Sequence, residues 1–516
     1  MVEMAAERVV VVGAGVGGLV AALLLSARGV SVTVVERSTG PGGKMRQVEI
    51  AGTRIDAGPT VFTMRSVFEE IFSAAGASLS DYVNLQPAEV LARHAWSASE
   101  RLDLFADINR SADAIGDFAG AQEARGYRDF CERSRRIYEA LDRPFIRSAR
   151  PRLNTLVASF GLRRLGDLWQ ITPFTNLWNT LGEHFRDARL RQLFGRYATY
   201  CGSSPFLAPA TLMLVAHVER EGVWLIEGGM YRLAEALAAV ASGTGATLRY
   251  QSEAAEVIVE SERVAGVMLS SGERIDAETV LVNADTAAVS SGRLGKAIAA
   301  AVPSLPRSAR SLSAITWAMV VPTRGFPLVR HNVFFSDNYE DEFERIRRGR
   351  LPAEPTVYVC AQHRTDADIS PTAGSPEALL CLVNAPPCGD GNVFEHGEIS
   401  RCEERTFAVL QRSGLHVERR AESCVMTTPR EFDRLCPETG GALYGPASHG
   451  WMASFRRPGS RTRIPGLYLA GGSTHPGPGV PMAAISGVLA AEAILGDWAS
   501  MRRFRRAATF GGMSMR

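Results

Sequence analysis

The sequence predicts an α/β protein, α+β overall, organised on a parallel sheet. Three observations point there. A strand, glycine turn, helix, strand and acidic residue follow one another between Arg8 and Glu36. A second strand–glycine cluster–helix pattern recurs between Pro465 and Trp498. Between them lies a long strand-rich stretch with a helical insertion.

The first element is Val9 to Val12, four valines in a row, as suits a parallel strand buried on both faces. Gly13, Gly15 and Gly18 follow in G-x-G-x-x-G spacing. Gly13 permits the tight turn, Gly15 lets a pyrophosphate approach the backbone, and Gly18 lets the helix lie close to the sheet. The freed amides and dipole of the helix start attract phosphate. A β-branched run, Val30 to Val35, then ends at Glu36, placed to accept the hydroxyls of an adenosine ribose. This Rossmann-like unit calls for an adenine dinucleotide and by itself leaves NAD and FAD equally open. A signal peptide is the competing reading of Val9 to Leu25. The interrupting glycines, Glu3 and Glu7 upstream, and the lack of a cleavage pattern argue against it.

The next glycine cluster, Arg37 to Lys44 with Gly42 and Gly43, suggests another backbone approach to the same ligand. So does Asp56-Ala-Gly58-Pro59-Thr60 after a strand over Val48 to Ile55. Plain surface turns are the alternative for both. Helical patterns cover Val67 to Ala75 and Tyr127 to Leu141.

Residues 150 to 200 mix aromatics with arginines. Phe160, Leu165, Leu168, Trp169, Phe174, Leu177, Trp178 and Leu181 recur at roughly helical spacing beside Arg147, Arg150, Arg152, Arg163 and Arg164. That composition suits a helix lying on a lipid surface; an amphipathic pair packed on the core is the plainer alternative. Gly228-Gly229 leads into a helix over Tyr231 to Val240, and strands follow at Thr247 to Tyr250, Ala254 to Glu260, Val264 to Leu269 and Thr279 to Val282. This piece reads as the other half of the dinucleotide domain, rejoined after an insertion. Strands at Ala314 to Val321, Val333 to Ser336, Thr356 to Cys360 and Ala378 to Val383 suggest a sheet over the ligand. The last cluster, Gly471-Gly472 to Gly477 and Gly479-Val480-Pro481-Met482, opens a helix over Ala483 to Trp498. Glycine clusters at both ends of one ligand path favour the longer cofactor, FAD. Arg502, Arg503, Arg505 and Arg506 form a basic tail that could touch anionic lipid, though a solvated tail is simpler.

Bulk properties exclude several classes. With 516 residues the chain can hold two or three domains. A net charge of +2 gives no reason to expect nucleic acid. Eight cysteines without a CxxC pair read as free thiols. No histidine spacing suggests a metal, and no run of 18 or more purely apolar residues suggests a spanning helix.

The motifs Gly13 to Gly18 with Glu36, Gly42-Gly43, Asp56 to Thr60, Gly228-Gly229, Asn283-Ala-Asp285 and Gly471 to Met482, taken in order, resemble the FAD-dependent carotenoid desaturase family. This is the bacterial phytoene desaturase type within the amine oxidase-like flavoproteins. Ser203 to Leu212 with His217-Val-Glu219, His331 to Ser336, and Gly477 to Met482 look most like its 1-hydroxycarotenoid 3,4-desaturase (hydroxyneurosporene or methoxyneurosporene desaturase) branch. Pro478 and Met482 depart from the Gly-Ala-Gly-(Ile or Leu)-Pro-Gly run of the phytoene enzymes.

The resemblance implies a Rossmann-like FAD domain over 1–95, 222–298 and 442–498, a helical membrane-facing subdomain over 96–221, a sheet-rich substrate domain over 299–441 and the tail 499–516. It implies FAD contacts at Gly13, Gly15, Gly18, Glu36, Arg37, Gly42, Gly43, Lys44, Gly58, Pro59, Thr60, Ala254, Gly471, Gly472, Gly479, Val480, Pro481 and Met482. It implies removal of two hydrogens from an acyclic carotenoid by hydride transfer to flavin, with oxygen or a quinone as final acceptor. No catalytic residue is obligatory, since the polyene disperses positive charge. His217 and Glu219 are the candidates for a base, with a structural role the simpler reading of each. An apolar substrate and the lack of a spanning run imply peripheral attachment to the cytoplasmic face of the inner membrane.

Overall fold

The computed structural model describes residues 7–149, 175–365, 375–391 and 394–510. Its first sheet is parallel and five-stranded, in the order Leu467–Leu469, Thr279–Val282, Arg8–Val12, Ser31–Val35 and Thr247–Arg249. The central strand Arg8–Val12 is buried along its four valines, which explains its apolar run. Strands from the start, middle and end of the sequence thus lie side by side. An antiparallel meander, Ala254–Glu260, Arg263–Leu269 and Arg274–Asp276, packs beside this sheet.

The helix Val16–Ser26 is buried on every side. The long helix Val480–Phe510 crosses it at glycine: a Cβ on Gly487 would stand 2.3 Å from the Gly17 carbonyl oxygen. Its segment Val480–Arg502 is long and apolar enough to span a membrane, yet 61% of its most apolar window is buried within the protein. That apolarity serves core packing, which a search for unbroken apolar runs could not see because Glu492, Asp497 and two glycines interrupt it.

The second large sheet runs His416–Val417, Ser313–Arg324, Pro376–Ala385, Val357–Ala361, His331–Phe334, Val90–Ala95 and Arg101–Phe105, with Cys424–Thr427 also paired to Ser313–Arg324. A sheet drawn from 299–441 alone is therefore too small. The hairpin 90–105 joins it through a parallel pairing of Val333 with His94. The strand expected over Val48 to Ile55 is likewise a hairpin, Gln47–Ile50 and Thr53–Asp56, because Ala51 and Gly52 take positive φ at its tip.

Helices Ala121–Leu141, Leu177–His184, Ala188–Gly195 and Leu214–Arg220 form the insertion between the two sheets' segments. Trp96 donates to Gln192 (2.8 Å), which donates in turn to the Ser336 carbonyl (2.8 Å), so one glutamine ties the insertion to the second sheet. Trp178 packs on Phe206, and Leu177 and Leu181 are fully buried. These three members of the aromatic stretch belong to the core. Phe160, Leu165, Leu168, Trp169, Phe174, Arg150, Arg152, Arg163 and Arg164 lie outside the described residues, as do the side chains of Arg503, Arg505 and Arg506. Arg502 pairs with Glu7 at 2.8 Å. All eight cysteines are thiols.

On the helix Tyr339–Arg347, beside the second sheet, Glu342 is 1% exposed and accepts from the Thr356 amide (3.0 Å), the Ser336 hydroxyl (3.3 Å) and the Asn384 amide (3.3 Å). No cation is among these partners. Burial pushes its carboxyl up from 4.5 to about 7. The fold favours the protonated form, so this site's stability is complete below the unfolded value and falls as pH rises through about 7. Between pH 4 and 8 the wild type should lose about 3 kcal/mol that Glu342→Gln keeps. Urea unfolding of both proteins across that range checks it; parallel pH profiles would refute it.

Candidate cofactor and substrate site

The glycine turn after Arg8–Val12 is held by two bonds. The Gly13 amide donates to the Val35 carbonyl (2.8 Å) and the Ala14 amide to Glu36 Oε2 (2.8 Å). Glu36 Oε1 accepts from the Ser38 amide (2.8 Å). A carboxylate has about four acceptor positions, so two remain for a ribose diol. Gly15 is the N-cap of Val16–Ser26 and has no side chain to cap with. The first-turn amides there have no partner inside the helix, which suits a phosphate.

The second cluster closes on the first. The Gly42 amide donates to the Ala14 carbonyl (2.8 Å), and a Cβ on Gly43 would stand 3.3 Å from the Gly15 Cα. Gly58 presses on this turn, its Cβ position only 1.9 Å from the Lys44 carbonyl oxygen. Arg37 and Lys44 themselves reach sideways, Arg37 to the carbonyls of Arg434 and Leu435 and Lys44 to that of Leu443 (2.6 Å). They tie the cofactor domain to the segment beyond the second sheet. Ala254 starts the antiparallel meander, two residues after Ser252, whose amide donates to the Glu36 carbonyl (2.8 Å).

The C-terminal cluster meets the same turn through Asn283, at the end of Thr279–Val282. Its Nδ2 donates to the Gly13 carbonyl (3.3 Å). A Cβ on Gly15 would meet that Nδ2 at 2.7 Å, and one on Gly471 would meet Oδ1 at 3.2 Å. A Cβ on Gly17 would meet the Gly471 nitrogen and the Ala483 carbonyl oxygen, each at 3.0 Å. Gly13 to Gly18, Gly471 and the 479–483 turn thus surround one asparagine. Asn283 stood in a quoted motif without a role; its place at a strand end beside the glycine turn was the available signal.

Two residues near this loop went unnoticed in sequence. Arg457 is buried and donates to the carbonyls of Gly472 (3.1 Å), Pro446 (2.5 Å) and Tyr444 (3.3 Å), joining three loops. Among the described residues no carboxylate bonds it, and burial pulls its guanidinium down to about 10. His475, before a cis peptide to Pro476, donates from Nε2 to the Phe145 carbonyl (2.9 Å). Burial brings it down to about 4. Asp56 is a capping residue: its carboxylate accepts the amides of Met230 (2.5 Å) and Tyr231 (3.3 Å) at the start of Tyr231–Gly243. Gly229 stands where a Cβ would be 2.3 Å from that carboxylate.

The two candidate bases sit on one short helix, Leu214–Arg220, in different surroundings. His217 lies against Tyr138 with the rings tilted by 45° and accepts from Arg220 at Nδ1 (3.1 Å); burial lowers its pKa. Glu219 is fully enclosed. Tyr197 donates to one carboxylate oxygen and Tyr200 (3.1 Å) to the other. Arg196 donates to the Tyr200 hydroxyl (2.6 Å) and covers its ring at 4.8 Å. Burial raises the Glu219 carboxyl while Tyr197, Arg196 and Tyr200 oppose it. Both oxygens of Glu219 are therefore engaged, and the structure does not bring the two candidates together as a pair.

Thr60 opens a second polar path. Its hydroxyl bonds the Tyr358 hydroxyl (2.7 Å), which bonds His331 Nδ1 (2.7 Å). Thr60 ends the Gly58–Pro59–Thr60 turn, while Tyr358 and His331 lie on adjacent strands of the second sheet. The two domains meet through this relay.

Comparison with known proteins supplies the family. The model of the flavin containing amine oxidoreductases matches residues 16–365. The chain is 54% identical to the hydroxyneurosporene desaturase of Rubrivivax gelatinosus, over 99% of this chain and 97% of that one. It is 43% identical to the hydroxyneurosporene desaturase of Cereibacter sphaeroides, over 96% and 99%. An oxidoreductase from Methanosarcina mazei shares the fold at a TM-score of 0.59 and 17% identity, over 93% of this chain and 99% of that one. The glycine-lined cradle, the uncapped helix start and Glu36 fit a flavin dinucleotide, and the chain belongs to the flavin-containing amine oxidoreductase family, among its FAD-dependent carotenoid desaturases.

Proposed function

We propose that the protein introduces the C-3,4 double bond into 1-hydroxy acyclic carotenoids of the hydroxyneurosporene or methoxyneurosporene type. The observation that carries this reading is the 54% identity, end to end, with a hydroxyneurosporene desaturase. Two C–H bonds break and one C=C bond forms; one hydrogen leaves as hydride and the other as a proton. FAD, when bound, accepts the hydride.

The chain's own residues then bind and orient. Glu36 receives the ribose and the first-turn amides after Gly15 receive the pyrophosphate. Gly42, Gly43, Gly58 to Thr60, Gly471, Gly472 and Gly479 to Met482 supply backbone walls, and Ala254 flanks the adenine end. Arg37 and Lys44 act by fixing the 434–443 segment across the site. The orientation of an extended chain against the cofactor is the main contribution the protein makes.

A substrate of roughly forty carbons, at about 0.8 kcal/mol per buried CH₂, does not cross water readily. Peripheral docking on the cytoplasmic face of the inner membrane follows, and the reduced cofactor passes its electrons to oxygen or a quinone. One experiment covers these points. Purified holoprotein is mixed with anionic vesicles carrying either a 1-hydroxycarotenoid or phytoene, in air or anaerobically with added quinone. Co-sedimentation with the vesicles and a longer-wavelength product from the hydroxylated substrate alone are expected. A product from phytoene points to the phytoene desaturase reading instead. No product from either, in a protein that cannot be loaded with FAD, points to a non-catalytic isoprenoid-binding protein.

A further inference from the structure

Most buried polar atoms here have partners, and those that do not are informative. Among the described residues, His331 Nε2, Arg196 Nε and Tyr339 Oη are buried without one. His331 is 3% exposed, and its ring stacks on Tyr358 (6.1 Å between centroids, 18° between planes). Burial and the charges of Arg330 and Arg196 push its imidazole down to about 3, so the ring is neutral at physiological pH. Burial dominates the tyrosine shifts as well, and the Arg196 charge acts on both Tyr339 and Tyr358. His331, Tyr339 and Tyr358 thus share one electrostatic neighbourhood around Arg196.

An enzyme for a hydrocarbon has little reason to keep such atoms unpaired, since each costs about 1–3 kcal/mol. A ligand with one polar group at its end removes the cost. A hydroxyl is suited to this histidine, because it both donates and accepts. With Nδ1 held by Tyr358, either neutral tautomer leaves Nε2 with one bond unmade. A hydroxyl on C1 is three bonds from C3, and bonds of about 1.5 Å hold it within about 4 Å of that carbon. Recognition of the hydroxyl must therefore occur beside the reacting carbons, and the relay of two 2.7 Å links from Thr60 places His331 next to the turn assigned to the cofactor. Trp317 Nε1 is also unpartnered, but it sits within the apolar core of the second sheet.

We propose that His331 is the specificity-determining residue for the terminal hydroxyl, binding it through Nε2 while Tyr358 and Thr60 hold the imidazole in place. This rests on the substrate class proposed above. A site built to hydrogen-bond a substrate hydroxyl rejects the analogue lacking it by a large factor, because its own polar group is left unpaired.

The test compares kcat/KM for a 1-hydroxycarotenoid and for the acyclic carotenoid of the same skeleton without the hydroxyl, in the wild type, His331→Phe and Tyr358→Phe. His331→Phe keeps the ring volume and the stack; Tyr358→Phe keeps the ring and removes the anchor of Nδ1 together with the bond to the Thr60 hydroxyl. His331→Phe should lower kcat/KM for the hydroxylated substrate about 100-fold, mostly through KM, and leave the other within about threefold. Tyr358→Phe should give a drop of about 10-fold on the hydroxylated substrate alone. FAD content and carotenoid binding, read from absorption spectra, identify a variant that has merely lost its fold. Equal losses on both substrates, or an unchanged preference in both variants, would overturn the role of His331. A wild type that does not prefer the hydroxylated substrate would overturn the substrate class as well, which separates the two failures.

Discussion

Gly18→Ala is expected to yield a protein that does not retain FAD. The new Cβ would stand 2.2 Å from the Gly13 carbonyl oxygen, which is backbone and cannot swing aside as a side chain would. Relief requires the turn to open. That movement breaks the Gly13–Val35 and Ala14–Glu36 bonds and shifts the cradle under the pyrophosphate. Overpacking of this kind costs about 1–3 kcal/mol, and the upper end applies where the obstacle is backbone. About 3 kcal/mol on binding is roughly a hundredfold weaker cofactor. Gly243→Ala is the control, since its Cβ meets nothing within 4 Å. The ratio of flavin absorbance to protein after gel filtration is the measurement. A yellow Gly18→Ala protein with full occupancy would contradict the geometry described.

Glu219→Ala should be the most destabilising of the polar substitutions in the helical insertion. It removes the acceptor for two tyrosine hydroxyls and, among the described residues, the only carboxylate bonded within the Arg196 cluster. Breaking a buried charged network from one side costs about 3–5 kcal/mol. Glu219→Gln keeps one acceptor oxygen and most of the volume, so it should lose clearly less. Chemical denaturation of the three proteins gives the order. The same pair separates structure from catalysis: if Glu219→Gln folds, binds FAD and turns over at near the wild-type rate, Glu219 is not the base. A fall in kcat of more than about 100-fold with stability intact would instead restore it as one.

The first cofactor motif was legible because each of its residues answers a local steric or electrostatic demand. Gly13, Gly15 and Gly18 are required by close backbone approach, and Glu36 by the end of a buried strand. The later glycine clusters were legible for the same reason. What pairs with them was not. That Asn283 would join Gly13 to Gly471, or that Val90–Ala95 would extend a sheet built from residues 313–427, depends on contacts between distant segments. Arg196 carries no local signature either, and His331 entered only as the start of a branch-like segment, without a role. Their importance lies in burial and in unpaired atoms, which only the assembled interior reveals. The helix Val480–Phe510 illustrates the reverse limit: its composition is compatible with lipid, and packing against Val16–Ser26 decides its place.

The five-stranded parallel sheet has a consequence for how the protein is made. Its central strand Arg8–Val12 is synthesised well before the edge strand Leu467–Leu469 and the turn at Gly471. At roughly 5–20 residues per second, the 455 residues from Val12 to Leu467 take about 20 to 90 seconds. Through most of that time the glycine turn has no Asn283–Gly471 wall beside it. Cofactor capture therefore waits for the segment around Gly471, and the apolar helix Val16–Ser26 waits for its partner. A nascent chain of this design should depend on chaperones that cover that helix until the C-terminal segment leaves the ribosome.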